Sequence, residues 1–315
     1  MNEALKISIQ TGGWYNDLFD GDERVDEAFQ FIRKYGFDTL DYNINNTLPY
    51  GEIVTGRINT FYDADIEKLL ERYRPVREAM IRHGISFGQA HAPFPMYVEG
   101  ADNINDYLIM VVEKECAICQ YLKCPALVVH PYSCADKEKE KAINLSMYRK
   151  LMPAAKKYGI KICLENMYRF ANGHGTVGAC GDAKEACWYI DTLNEEAGED
   201  MFGYCFDVGH ANISGRNIRE EIRTLGHRLT ALHIHENDGI NDLHQIPYAL
   251  KHSSGQKLYT DWEGFIEGLR DINYRGTLNF ETFAALRGTP YELVPSMLRL
   301  IYEVGCYFKK RIHTL

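Results

Sequence analysis

The strongest constraint on how this chain can fold is a rhythm. Short β-branched and aromatic runs alternate with longer amphipathic ones, and the alternation completes eight cycles. The β-rich runs are LKISIQT from Leu5, FDTLDYNI from Phe37, ISFGQAHAPF from Ile85, ALVVHPY from Ala126, IKICLENM from Ile160, FGYCFDVGHAN from Phe202, TALHIHEND from Thr230 and GTLNFETF from Gly276. Between them lie stretches such as DADIEKLLERYRPVREAMIRHG and EKAINLSMYRKLMPAAKKYG, whose apolar residues recur at helical spacing. Gly36, Gly84, Gly159 and Gly276 precede β runs, the place where glycine closes a helix. Strict strand–helix alternation requires a parallel sheet, and eight strands are the number that closes one into a barrel. The expectation is an α/β fold, a (β/α)8 TIM barrel, with residues 1–315 forming a single domain. An open doubly wound sheet would carry a Gly-rich phosphate loop after its first strand. Thr11-Gly12-Gly13-Trp14 stands there instead and is no such fingerprint.

Successive side chains in a strand face opposite ways, so in a barrel one set points to the axis and the other to the helices. In the fifth run Ile162 and Leu164 suit the helix side, which puts Cys163 and Glu165 on the inner phase. The same reading turns Cys205 and Asp207 inward in the sixth run, His233 and His235 in the seventh, and Asn279 and Glu281 in the eighth. His91 and His130 end the third and fourth. These positions lie at the C-terminal ends of the strands, where barrel active sites are built. One strand-end histidine is usually a hydrogen-bonded rim residue, and one acid often pairs with an arginine or caps the next helix. Repetition over six strands is different. Buried carboxylates need cationic partners, and Glu, Asp and His together form the ligand set of a divalent metal ion: Mn, Mg, Co or Zn.

Charge and cysteine usage narrow the classes. With 35 Lys and Arg against 44 Asp and Glu, the formal charge is −9 and no basic cluster appears, which argues against nucleic acid as a partner. The nine cysteines are scattered through apolar segments, and MNEALKISIQ reads as the start of a strand rather than a signal peptide. No apolar run is long enough to span a membrane. The expectation is a reduced, cytoplasmic protein. Cys116 and Cys119 form a C-x-x-C inside a helical pattern, where packing is the expected role.

Four segments together resemble the xylose-isomerase-like barrel superfamily: Leu164-Glu165-Asn166, Asp207-Val208-Gly209-His210, His233-Ile234-His235-Glu236-Asn237-Asp238 and Asn279-Phe280-Glu281. That superfamily contains sugar phosphate isomerases and epimerases, ketose 3-epimerases and endonuclease IV-type enzymes. The resemblance runs from the first strand to the last helix, and D-V-G-H is its most specific piece. It implies a metal site of Glu165, Asp207, one histidine of the seventh strand, and Glu281. Asp238, three residues on, favours His235; aligning H-I-x-[DE]-N-D-G favours His233. His235 is the preferred ligand, with His233 lining the substrate pocket. His91, His130, His210 and the run Asp242-Leu243-His244 match additional ligands of the endonuclease-type members, so a second or third ion is an open alternative. In the epimerase branch His210 contacts substrate oxygens, and substrate contact is the preferred role for His91, His130 and His210.

The chemistry implied by the resemblance is isomerisation or epimerisation of a sugar or sugar phosphate, with Glu165 and Glu281 as the acid/base pair. A carboxylate takes a proton beside a carbonyl, a metal-bound enediolate forms, and a proton returns. Two alternatives share the scaffold. One is a C-glycoside-cleaving enzyme of deglycosidase or lyase type, which would take a small partner subunit; the other is an endonuclease IV-like nuclease. A homo-oligomer is expected from the resemblance. Arg169, Arg216, Lys257 and Arg287 are loose candidates for phosphate or polyol contacts, and Trp14, Phe94, Tyr168 and Trp262 for stacking on a sugar face.

Overall fold

A computed structural model of the chain describes residues 5–250 and 260–313, so Lys257 lies outside the described residues. Among the described residues ten strands form in chain order: β1 Lys6–Gln10, β2 Thr39–Tyr42, β3 Ser86–His91, β4 Ala126–Val129, β5 Lys161–Glu165, β6 Tyr168–Ala171, β7 His174–Val177, β8 Phe202–Asp207, β9 Leu229–His233 and β10 Thr277–Phe280. Eight of them make one parallel sheet in the order β10-β1-β2-β3-β4-β5-β8-β9. Its two edges meet at a parallel bridge between Ile234 and Phe280. There Ile234 N–H donates to the Asn279 carbonyl at 2.9 Å and Glu281 N–H donates to the Ile234 carbonyl at 3.1 Å. The result is a nearly closed (β/α)8 barrel, and all eight β-rich runs of the sequence supply a barrel strand.

The inward phase follows the alternation. Ala126, Val128, Cys163, Cys205 and Ala231 form a small apolar cluster inside the β4–β5–β8–β9 wall, where only short side chains fit. The opposite wall is polar inside: Ser8, Gln10, Thr39, Asp41, Gln89 and Asn279 are all buried. Residues of the outward phase, among them Ile162, Leu164, Phe206 and Leu232, join the large core between sheet and helices.

Helix boundaries have local causes. Asp136, Asp182 and Asn217 each cap a helix by accepting a backbone N–H of its first turn. Gly84 and Gly159 close helices in the left-handed region, as their places before strands suggest. Gly276 does not. The helix Trp262–Asp271 ends through Ile272, and Asn273 takes the positive φ of 54°. Gly276 is small for a different reason: a Cβ there would lie 2.3 Å from the Tyr274 hydroxyl. Cys116 and Cys119 are buried on the helix Asp102–Tyr121, and both are free. Among the described residues, no helix is long and apolar enough to cross a membrane.

One element goes beyond the eightfold reading. β6 and β7 pair antiparallel as a hairpin between β5 and the helix Ala183–Ala197. Its turn is Asn172-Gly173, both at positive φ (52° and 78°). Asn-Gly between short strands is a strong local hairpin signal.

Candidate functional site

The C-terminal rim gathers the polar strand ends into one buried cluster. Glu165 ends β5, Asp207 ends β8, His233 ends β9, and Glu281 follows β10. All four are buried. His233 lies across the barrel axis: its Nδ1 is 3.3 Å from Glu165 Oε1, 3.5 Å from Glu281 Oε2 and 3.8 Å from Asp207 Oδ2. Its Nε2 faces Asp41 Oδ2 on the far wall at 3.7 Å, and its ring stacks on His91 at 4.9 Å.

His235 sits one pleat further out, beyond the Ile234–Phe280 bridge that brings it beside the β10 end. Its Nε2 stands 3.1 and 3.2 Å from the two Asp207 oxygens and 3.6 Å from Asp242 Oδ1. Its ring stacks on His244 at 4.0 Å. The D-V-G-H run explains itself here. Asp207 Oδ1 caps the following short helix by accepting His210 N–H at 2.7 Å. A Cβ on Gly209 would lie 2.0 Å from His235 Cε1, so only glycine leaves room for that imidazole. Asp207 therefore fills the cap role as well as facing the imidazoles.

The other predicted histidines converge on the same carboxylates. His130 Nε2 is 3.1 Å and His91 Nε2 3.8 Å from Glu165 Oε2. His210 Nδ1 hydrogen-bonds to the Asn166 carbonyl at 2.8 Å, and His244 Nδ1 to the Glu281 carbonyl at 3.0 Å. Both then present Nε2 to Asp242 Oδ2, at 3.3 and 3.1 Å. A backbone carbonyl fixing one ring nitrogen while the other faces a carboxylate is the arrangement that orients metal-ligating histidines.

The electrostatics separate the two glutamates. Burial pushes the Glu165 carboxyl up, but His233 and His130 outweigh it and hold it well below the usual range. Burial likewise raises Glu281; His233 and His244 oppose it incompletely, and its carboxyl is pushed up to about 7. Burial opposes charge on His210, yet Asp207 and Asp242 hold it well above the ordinary imidazole value. Beneath them, burial lifts Asp41 to about 6 despite His233 and hydrogen bonds from Gln89 and Asn279.

The donor set fits a divalent cation. Glu165 Oε2, His91 Nδ1, His130 Nδ1, both His233 nitrogens, His235 Nδ1 and Asp242 Oδ1 are buried without a hydrogen-bond partner. Orphaned buried polar atoms are costly, and a mixed O/N set of this kind suits first-row divalent ions. Ligand-type atoms fall within 4.8 Å of one another in several trios, including His91/His130/Glu165, Glu165/Asp207/His210, His91/His233/Glu281 and His235/Asp242/His244.

Above this floor opens a cavity of about 720 Å³. Phe94, Tyr168, Arg169 and Arg287 from the sequence candidates line it. Trp14 and Trp262 do not: both are buried, donating their indole N–H to the Gln10 carbonyl and to Glu236. Arg216 is held by Asp182 and Glu221. The sequence reading passed over Gln10, which donates to Glu281 Oε1, and Asp41. Both sit on the inner phase of their strands, so the alternation used for β5 to β10 would have found them.

Comparison with known proteins places this architecture. Over 141 residues the chain is 31% identical to an uncharacterized protein of Methanocaldococcus jannaschii, spanning 44% of this chain and 42% of that one. It is 24% identical over 216 residues to a probable endonuclease 4 of Mycoplasma capricolum, covering 65% and 69% of the two chains. The chain spans less than half the length of the first curated relatives it matches, 42% and 24%. Among solved structures, D-psicose 3-epimerase from Clostridium cellulolyticum H10 with D-tagatose superposes with a TM-score of 0.68 at 16% identity, over 97% and 99% of the two chains. The zinc-bound IolI protein does so with a TM-score of 0.66 at 18% identity, over 99% and 100%. These likenesses establish a shared fold. The family profile of the xylose isomerase-like TIM barrel matches residues 29–301. The chain belongs to the xylose isomerase-like TIM barrel family.

Proposed function

We propose that this protein is a metal-dependent isomerase or epimerase of a sugar or sugar phosphate, working by proton transfer at a carbon beside a carbonyl. The observation that carries the reading is the pair Glu165 and Glu281. They come from different strands to either side of His233 Nδ1, at 3.3 and 3.5 Å. Two carboxyls held on two sides of one point are what an acid/base pair needs. Glu165, Asp207, His235 and Glu281 would hold the divalent ion, whose contribution is to polarise the substrate carbonyl as a Lewis acid. Glu165 and Glu281 take and return the substrate proton from their two sides. His91, His130 and His210, which line the cavity, donate hydrogen bonds to substrate oxygens and fix the sugar's orientation, with His233 buried beneath them and acting through the His91 ring on which it stacks. The epimerase among the structural neighbours and the zinc in IolI support this assignment. A homo-oligomer remains part of the proposal.

The test is solvent exchange. The metal-loaded protein incubated with free and phosphorylated ketoses in D2O should place deuterium at a carbon next to the carbonyl, read by NMR. Absence of exchange in every ketose would reject the reading.

A second reading is metal-assisted phosphoester cleavage of the endonuclease IV type. What favours it is the shared grip of His210 and His244 on Asp242, together with His91 and His130 on Glu165, which offers two further ligand trios. The formal charge of −9 opposes a nucleic-acid substrate. Cleavage of an abasic-site oligonucleotide decides between the two.

A further inference from the structure

The first strand of the barrel ends in a glutamine aimed at Glu281. Gln10, the last residue of β1, is buried, and its Nε2 donates to Glu281 Oε1. β1 and β10 are neighbours in the sheet with Ile9 in register with Phe280, so the next residue of each strand, Gln10 and Glu281, reaches the rim side by side. Glu281 is thereby held from two directions. Its Oε1 faces the amide, while its Oε2 stands 3.5 Å from His233 Nδ1 and 3.6 Å from His244 Nδ1. The side chains set against Glu165, by contrast, are the imidazoles of His91, His130, His210 and His233.

The pose of the amide serves the glutamate and leaves the glutamine itself unsatisfied. Gln10 Oε1 is buried without a hydrogen-bond partner, a costly state that an apolar side chain of equal length would avoid. What glutamine supplies there, and methionine cannot, is an N–H for Glu281 Oε1. The loop that follows is shaped around it. Thr11-Gly12-Gly13-Trp14, which is no phosphate fingerprint, has a different role. Trp14 donates its indole N–H to the Gln10 carbonyl at 2.9 Å. A Cβ on Gly12 would lie 2.9 Å from Gln10 Oε1 and 3.0 Å from Phe283 Cβ, so glycine leaves the slot that the amide occupies. Gly13, at a φ of 79°, lies against the Phe283 backbone, where a Cβ would collide with the carbonyl. The loop thus packs on the segment just past Glu281, with the Gln10 amide between them.

We propose that Gln10 is the positioning residue of Glu281: its amide ties down Oε1 and leaves Oε2 as the oxygen offered to the ion and the substrate. The inference rests on the part given to Glu281 in the function proposed above. Without the amide the carboxylate turns about its terminal bond, and both ligation and proton transfer lose their preset geometry.

A double-mutant cycle on manganese affinity tests it, with free manganese counted by electron paramagnetic resonance. Gln10→Met keeps the length of the side chain and removes the donor. It should weaken manganese by about tenfold when Glu281 is present and by less than about twofold in the Glu281→Gln background. Equal losses in the two backgrounds would make Gln10 a packing residue and overturn the proposal, as would wild-type affinity in Gln10→Met. Should circular dichroism show that Gln10→Met does not fold, Gly12→Ala, which crowds the amide out of its slot, takes its place in the same cycle. In a ketose that exchanges, Gln10→Met should lower kcat by about tenfold with KM near the wild-type value, because the amide touches the glutamate and not the sugar. A change confined to KM, or none, overturns the assignment. Exchange in ketoses without a Glu281-dependent effect of Gln10 overturns only the positioning role; a Glu281-dependent loss of manganese without exchange in any ketose overturns only the isomerase reading.

Discussion

Replacing Glu115 by Gln probes how the loop that carries Tyr50 is anchored. Glu115 is fully buried on the helix Asp102–Tyr121. Its Oε1 accepts the Tyr62 hydroxyl at 2.7 Å, while Oε2 has no partner. Thr47, in the same loop, lies 2.7 Å from the Tyr62 hydroxyl. Burial pushes the Glu115 carboxyl up to about 8 from its ordinary 4.5, against the hydrogen bond from Tyr62. A carboxyl raised by folding contributes its full stability below the unfolded pKa and loses it as pH rises through the folded one. The window runs from about pH 4.5 to 8, and each pH unit inside it removes about 1.4 kcal/mol. Between pH 6 and 8 the wild type should lose about 2–3 kcal/mol that Glu115→Gln, with nothing to ionise, retains. The amide oxygen still accepts from Tyr62. Urea unfolding of both proteins at pH 6, 7 and 8 measures the difference, in which other titrating groups cancel. Parallel stability curves for the two proteins would refute the reasoning.

Further outcomes follow from the site. Glu165→Gln and Glu281→Gln should each lower turnover by about a hundredfold or more with unchanged circular dichroism; a near-wild-type rate in either removes that residue from the acid/base pair. Because burial pushes the Glu281 carboxyl up to about 7, an ion must displace its proton, so manganese affinity should fall by up to about tenfold per pH unit below that value; pH-independent binding would contradict this. His235→Ala should weaken manganese by about a hundredfold, whereas His233→Ala should mainly raise KM; the reverse pattern would make His233 the ligand.

Much of this was legible in the chain because barrels obey two periodicities. Alternation of strand and helix predicted eight parallel strands, and the pleat placed Glu165, Asp207 and Glu281 at the axis, where they are found buried. What escaped was of two kinds. Gln10 and Asp41 were overlooked because a polar residue in an early strand has no motif around it, although the pleat turns it inward as surely as it turns Glu165. The hairpin carrying Phe170 was overlooked because its strands are four residues each, too short for a period, and only Asn172-Gly173 marks it. The rim aromatics were readable only in part. Phe94 and Tyr168, stacking candidates from the sequence, line the cavity, whereas Tyr50 and Phe170, which pack on those two rings, are placed there only by the closure of the barrel.

Anomalous diffraction from crystals grown with manganese would reach the heart of the account. A peak within about 2.0–2.3 Å of carboxylate oxygens from Glu165, Asp207 and Glu281 is the predicted result. A map empty at that point, with the three acids still facing only histidines, would contradict it.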